Sequence, residues 1–103
     1  MTTATPQARA LAALGHDARL AIFRLLVRAG EDGLRVGEIA GHLGLAPSTL
    51  AHHLATLVDA GLVTQERRGR EVISRAVFDA ARDLAAFLLD ACCAGVAPQE
   101  GAA

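Results

Sequence analysis

Apolar residues recur along this chain at helical spacing, and glycine or proline interrupts them at regular intervals. Gln7–Leu14 predicts a short helix stopped at Gly15. Asp17–Ala29 carries Ala18, Ile22, Leu25 and Leu26 on one face and predicts a second helix, ended by Gly30-Glu-Asp-Gly33. A third covers about Arg35–Leu43, where Val36, Ile39, Ala40 and Leu43 fall at i, i+3, i+4 and i+7. Gly44 and Leu45 make a brief turn. Pro47–Ala60 follows, with Pro47 at the first helical position, where its missing N–H is harmless, and Gly61 closes it. From Leu62 the period changes. Leu62–Arg67 and Glu71–Val77 are rich in β-branched residues and flank Arg68-Gly69-Arg70, which predicts a hairpin. Asp79 offers an N-cap for a last helix, about Ala80–Ala94, ended by Gly95 and Pro98.

Helix, helix, helix–turn–helix, hairpin, helix is the winged helix-turn-helix plan: mainly α, about five helices, with a small β-hairpin wing. A length of 103 residues fits one domain, with about 6–95 ordered and residues 1–5 and 97–103 read as frayed tails. A hydrophobic content of 52% and a mean hydropathy of +0.34 exclude disorder. The apolar runs are too short to span a bilayer, and no N-terminal segment reads as a signal peptide, so no membrane partner is expected. Aromatics are only 3%, so the core must be built from Ala, Leu, Ile and Val. Small domains of this kind are marginal alone, which points to a dimer.

Charge narrows the function. The net charge of −1 excludes a generally basic protein that coats nucleic acid, but not a local basic patch. All ten basic residues are arginine, and Arg67, Arg68, Arg70 and Arg75 crowd into the predicted hairpin. An Arg-rich hairpin tip can follow a phosphate backbone or enter a minor groove. It can also serve only as a charged edge that resists aggregation. On the helix before it, Leu50, Leu54, Leu57 and Val58 form the predicted core stripe, while Ser48, Thr49, His52, Ala55 and Thr56 face outward. No acidic residue interrupts that outer face until Asp59, unlike an ordinary solvated helix with paired charges. Hydroxyls and an imidazole near a helix N-terminus suit phosphates and base edges in a major groove.

Several stretches together resemble the ArsR/SmtB family of small dimeric repressors. They are Leu14-Gly-His-Asp-Ala-Arg-Leu20, Val36-Gly-Glu-Ile-Ala40, Ser48-Thr-Leu-Ala-His-His-Leu54, Ala60-Gly-Leu-Val63 and Arg67-Arg-Gly-Arg70. The resemblance spans roughly Ala10–Leu89. It implies a cytoplasmic winged-helix homodimer that binds a palindromic double-stranded DNA operator and releases it on sensing a soft metal, metalloid or redox signal. The expected DNA contacts are Pro47, Ser48, Thr49, His52, His53, Thr56, Arg67, Arg68 and Arg70. Two departures concern the recognition helix, where the family often has Ser and this chain has Ala46 and Ala51.

The same resemblance implies where a signal is sensed. The family's Cys-Val-Cys arsenic site aligns with Arg35-Val36-Gly37, which has no thiol. Its zinc-type site needs Asp and His on the last helix, and here Asp83 and Asp90 have no His beside them. His16 reads as a cap or packing residue. Asp90-Ala-Cys-Cys-Ala-Gly95 resembles a Cys-Cys pair that some arsenic-responsive members carry, without their third Cys. Cys92 and Cys93 are therefore the candidate ligands for a trivalent arsenical inducer, and no cofactor is otherwise required. Adjacent side chains diverge by about 100° on a helix, so the pair converges only if the last turn unwinds. Redox-sensing and purely structural cysteines in a ligand-independent repressor remain the alternatives. An enzyme is not expected, since thiol activation favours a helix N-terminus or neighbouring cations and this pair sits at the other end. No phosphate loop or nucleophile elbow appears either. A protein–protein module on the same fold would not need the arginine-rich wing.

Overall fold

The computed structural model describes residues 5–98. Five helices run as α1 (Pro6–Leu14), α2 (Asp17–Ala29), α3 (Val36–Leu43), α4 (Pro47–Asp59) and α5 (Phe78–Leu88). Three strands are β1 (Leu34–Arg35), β2 (Val63–Arg68) and β3 (Glu71–Ala76). Glycine and proline set most boundaries. The Gly15 N–H returns to the Ala12 carbonyl, Gly44 takes a left-handed conformation behind α3, and Pro47 opens α4. Thr5, expected in a frayed tail, instead caps α1 by accepting from the Ala8 N–H at 3.1 Å. Apart from Thr5, Ala97 and Pro98, the two expected tails lie outside the described residues.

The core lies where α2, α3, α4 and the start of β2 meet. Ile22, Leu26, Ile39, Leu50, Leu54, Leu57 and Leu62 are all but inaccessible. Burying each such side chain contributes roughly 1.5–3 kcal/mol. No phenol or indole needs a partner there, and aliphatic side chains close the interior around the ring of Phe23. Among the described residues, no helix is long and apolar enough to cross a membrane.

The sheet order is β1-β3-β2, antiparallel throughout. The hairpin register runs from Val63 opposite Ala76 to Arg68 opposite Glu71, which leaves Gly69 and Arg70 at the tip. β1 was not expected. Its two residues pair with Ser74 and Ile73 and fasten the middle of β3 to the start of α3. A two-residue strand has no alternation from which to be read.

The last helix departs most from expectation. It starts at Phe78, and Val77 rather than Asp79 occupies the N-cap, with no side-chain cap. Asp79 sits in the first turn, where a carboxylate favours the helix dipole, and accepts from Arg82 at 3.2 Å. The helix stops at Leu88 rather than Ala94. Leu84 is its last buried residue, whereas Phe87, Leu88 and Leu89 are 52%, 59% and 69% exposed. Helices this short rely on packing, and packing within the chain ends there. Beyond it the backbone makes successive i→i−3 turns, from Cys92 N–H to the Leu89 carbonyl and from Ala94 N–H to the Ala91 carbonyl.

Candidate nucleic-acid interface and thiol pair

The outer face of α4 is built as the periodicity requires. Pro47, Ser48, Thr49, His52 and Ala55 are exposed, and Thr56 is half-buried. Thr56 donates its hydroxyl to the His52 carbonyl at 3.2 Å, so only its oxygen's acceptor capacity remains for a partner. Ala46 stands at the N-cap and contributes no side-chain hydrogen bond. The first N–H groups of α4 are thus left without that common partner, beside Ser48 and Thr49.

His53 is placed differently from the expectation that it meets DNA. It is 8% exposed and points into the protein. Its ring lies 4.7 Å from that of His16, and its Nδ1 is 3.5 Å from the Arg19 guanidinium. Arg19 in turn donates through Nε to the Ala13 carbonyl at the end of α1. The spacing that signals this burial is Leu50, His53 and Leu57 at i, i+3 and i+7. Val58, assigned to the core stripe, falls at its edge and is 36% exposed. His16 acts as the N-cap of α2, accepting from the Ala18 N–H at 3.1 Å.

The His53 cluster makes a pH prediction. Burial holds the His53 imidazolium below its usual 6.5, and the neighbouring His16, Arg19 and His52 push it the same way. The folded state therefore disfavours the protonated ring relative to the unfolded chain. Its stabilising preference for neutral His53 is present above about pH 6.5 and is lost as pH falls below that value. Thermal melts at pH 7.5 and pH 5.5 should show a larger loss for the wild type than for His53→Gln. Equal losses would show that His53 does not carry the acid sensitivity.

The wing arginines are not equivalent. Arg75 is structural: it donates to the Glu31 carbonyl at 2.8 Å and to Glu66 at 2.8 Å. Glu66 also holds Arg68 at 3.3 Å, and hydrogen bonds from Arg75 and then Arg68 keep its carboxyl below the usual range. Arg35 bridges to Glu71 at 2.8 Å and tethers the first residue of β3. Among the described residues, Arg67 and Arg70 have no ion-pair partner. They are the guanidinium groups at the wing tip most available to phosphates.

Cys92 and Cys93 lie past the end of α5, both exposed and both free. Ala91 and Cys93 have φ of +58° and +66°, in a region that L-residues seldom adopt. These turns remove the helical divergence and bring the two Sγ atoms to 3.2 Å. Among the described residues, no group of three or more His, Cys, Asp or Glu side chains is placed to hold a metal ion. Within the single chain the pair is exposed and takes no part in the core.

The family described as "Helix-turn-helix domain" matches residues 14–66. A Halobacterium salinarum protein named as a candidate arsenical resistance operon repressor, ArsR, is 40% identical over 60 residues, covering 58% of this chain and 46% of that protein. The chain thus spans less than half of that relative's length. The HTH-type transcriptional regulator YgaV of Escherichia coli is 30% identical over 91 residues, covering 88% of this chain and 90% of YgaV. Among solved structures, the homodimeric winged helix-turn-helix domain of a candidate ArsR-family regulator from Mycobacterium bovis superposes with a TM-score of 0.69. That match is 31% identical and covers 84% of this chain and 78% of the other.

Proposed function

This chain belongs to the ArsR/SmtB family of winged helix-turn-helix transcriptional regulators, and from that premise we propose that it is a homodimeric operator-binding repressor released by a trivalent arsenical. The observation that carries the DNA-binding part is the acid-free outer face of α4 beside two unpaired wing arginines. Ser48, Thr49 and His52 read or position DNA in the major groove, while Arg67 and Arg70, with Arg68 shared with Glu66, hold the backbone. His53 supports α4 from within.

Dimerisation is supported by apolar surface that one chain leaves open: Leu11 on α1, with Phe87, Leu88 and Leu89 at the end of α5. Leu84, on the same helix, belongs to the core and not to that surface. The Mycobacterium bovis relative is named as homodimeric. Two-fold symmetry would set two recognition helices about 34 Å apart, on successive major grooves of a palindromic operator.

The inducer reading rests on the thiol pair. Thiolates are soft ligands, suited to soft thiophiles and poor for Mg²⁺ or Ca²⁺. A monosubstituted trivalent arsenical has one valence on carbon and two left, which two converged thiols satisfy. Inorganic arsenite prefers three thiolates, so it would need a third from the partner subunit. Two of the curated relatives are named for arsenical resistance. Closing a ligand across Cys92 and Cys93 would reshape the turn next to Phe87, Leu88 and Leu89. A shift there changes the spacing of the recognition helices through the dimer face, so the ligand and DNA oppose one another by linkage.

Affinity measured against salt tests the interface. On a labelled duplex selected for binding, Arg70→Ala should reduce the slope of log K against log salt by about two, one per subunit. His52→Ala should change sequence preference by about 1–3 kcal/mol if it reads a base. Arg75→Ala should lower thermal stability and leave the slope unchanged. An unaltered slope in Arg70→Ala would remove the wing from the interface.

A further inference from the structure

We propose that Cys92 and Cys93 close a reversible disulfide with each other when the chain meets a hydroperoxide. The chemistry does not depend on the arsenical reading, although its consequence for arsenicals does. Two thiols of one chain already sit 3.2 Å apart and exposed, held there by the left-handed turns at Ala91 and Cys93. Bond formation requires an approach to about 2.05 Å, a displacement of roughly an ångström within a surface turn. These 103 residues contain no third cysteine to compete for either sulfur. Proximity therefore favours the partner next door over crosslinking between molecules.

The step balances with the peroxide alone. One thiolate sulfur attacks a peroxide oxygen, the O–O bond breaks, and the departing hydroxide takes up a proton as water. The resulting sulfenic acid is then attacked by the neighbouring thiolate, which forms the S–S bond and expels a second hydroxide. Two thiols and one hydrogen peroxide become one disulfide and two waters. Consecutive Cα atoms are only about 3.8 Å apart, below the range of about 4.4–6.8 Å of ordinary disulfides, so the product is strained. Strained and exposed disulfides are the labile ones, readily reopened by a dithiol. The pair would act as a switch and not as a staple. While it is oxidised, neither sulfur is free to ligate an arsenical.

Intact mass and thiol counting on the 103-residue protein test this after treatment with equimolar hydrogen peroxide. The expected product has lost both thiols and about 2 Da, runs as a single chain on a non-reducing gel, and recovers both thiols with dithiothreitol. Cys93→Ser should instead gain oxygen or form a covalent dimer. Wild-type protein that forms mainly covalent dimers, that accumulates oxygen adducts, or that keeps both thiols overturns the proposal. Phenylarsine oxide separates the two readings. Reduced protein should take up one per chain and oxidised protein none. If the reduced protein takes up none while the 2 Da loss occurs, the arsenical reading fails and the disulfide stands. Uptake by the oxidised protein would overturn the disulfide.

Discussion

Gly33→Ala should lower stability by about 3 kcal/mol or more and the melting temperature by roughly 10–20 °C. Gly33 has φ +67° and ψ −167°, a conformation that is essentially glycine-only. Space is equally unforgiving. A Cβ there would collide with the Ser74 carbonyl oxygen, come within 2.7 Å of Arg75 Cγ and sit 3.1 Å from Ile73 Cγ2. The first of these is backbone in β3, so relief means separating β1 from β3 and loosening the wing. Gly44 serves as the control, because it also has positive φ but nothing lies within 4 Å of its Cβ position. Gly44→Ala should cost only the conformational strain, about 1–2 kcal/mol. Chemical denaturation of both variants compares them directly. Equal losses would show that the chain does not pack closely behind Gly33.

Phe87→Glu combined with Leu88→Glu should yield a folded monomer with operator affinity reduced about 100-fold or more. Both side chains are more than half exposed in the single chain, so charging them removes no contact of the core. In a dimer the same positions would meet apolar partners, and four introduced carboxylates would face one another without counterions. Each monomer would retain α4 and the wing but lose the second half-site, and with it the effective concentration that the partner supplies. Light scattering at micromolar concentration and anisotropy on a labelled duplex read the two effects. A variant that stays dimeric would relocate the interface away from α5.

Much of this architecture is legible because its punctuation is chemical and local. Gly15, Gly30, Gly44, Pro47 and Gly61 bracket α1 to α4, and their conformational preferences operate without knowledge of the fold. The hairpin is legible for the same reason, with Gly69 at its tip. What the sequence conceals depends on distant partners. β1 exists only because β3 lies beside it. α5 ends six residues early because no surface of its own chain receives Leu88 and Leu89. His53 shows the third kind of failure. The family resemblance implied a DNA contact there, whereas its spacing from Leu50 and Leu57 places it on the buried face. The thiol pair was readable as a pair, and the need for unwinding was readable too. Only the backbone at Ala91 and Cys93 supplies the convergence.

Release of DNA by an arsenical, with and without the two thiols, tests the account most directly. Fluorescence anisotropy of a labelled duplex selected for binding should fall as phenylarsine oxide is added to the reduced wild type, and at least as readily as with arsenite. The Cys92→Ser, Cys93→Ser double variant should bind the duplex with unchanged affinity, because both residues lie in an exposed turn past the end of α5 and belong to neither α4 nor the wing. It should then hold the duplex through the whole titration. A double variant that still lets go of DNA on arsenical addition, or a wild type that never does, would contradict the assignment of Cys92 and Cys93 as the sensor.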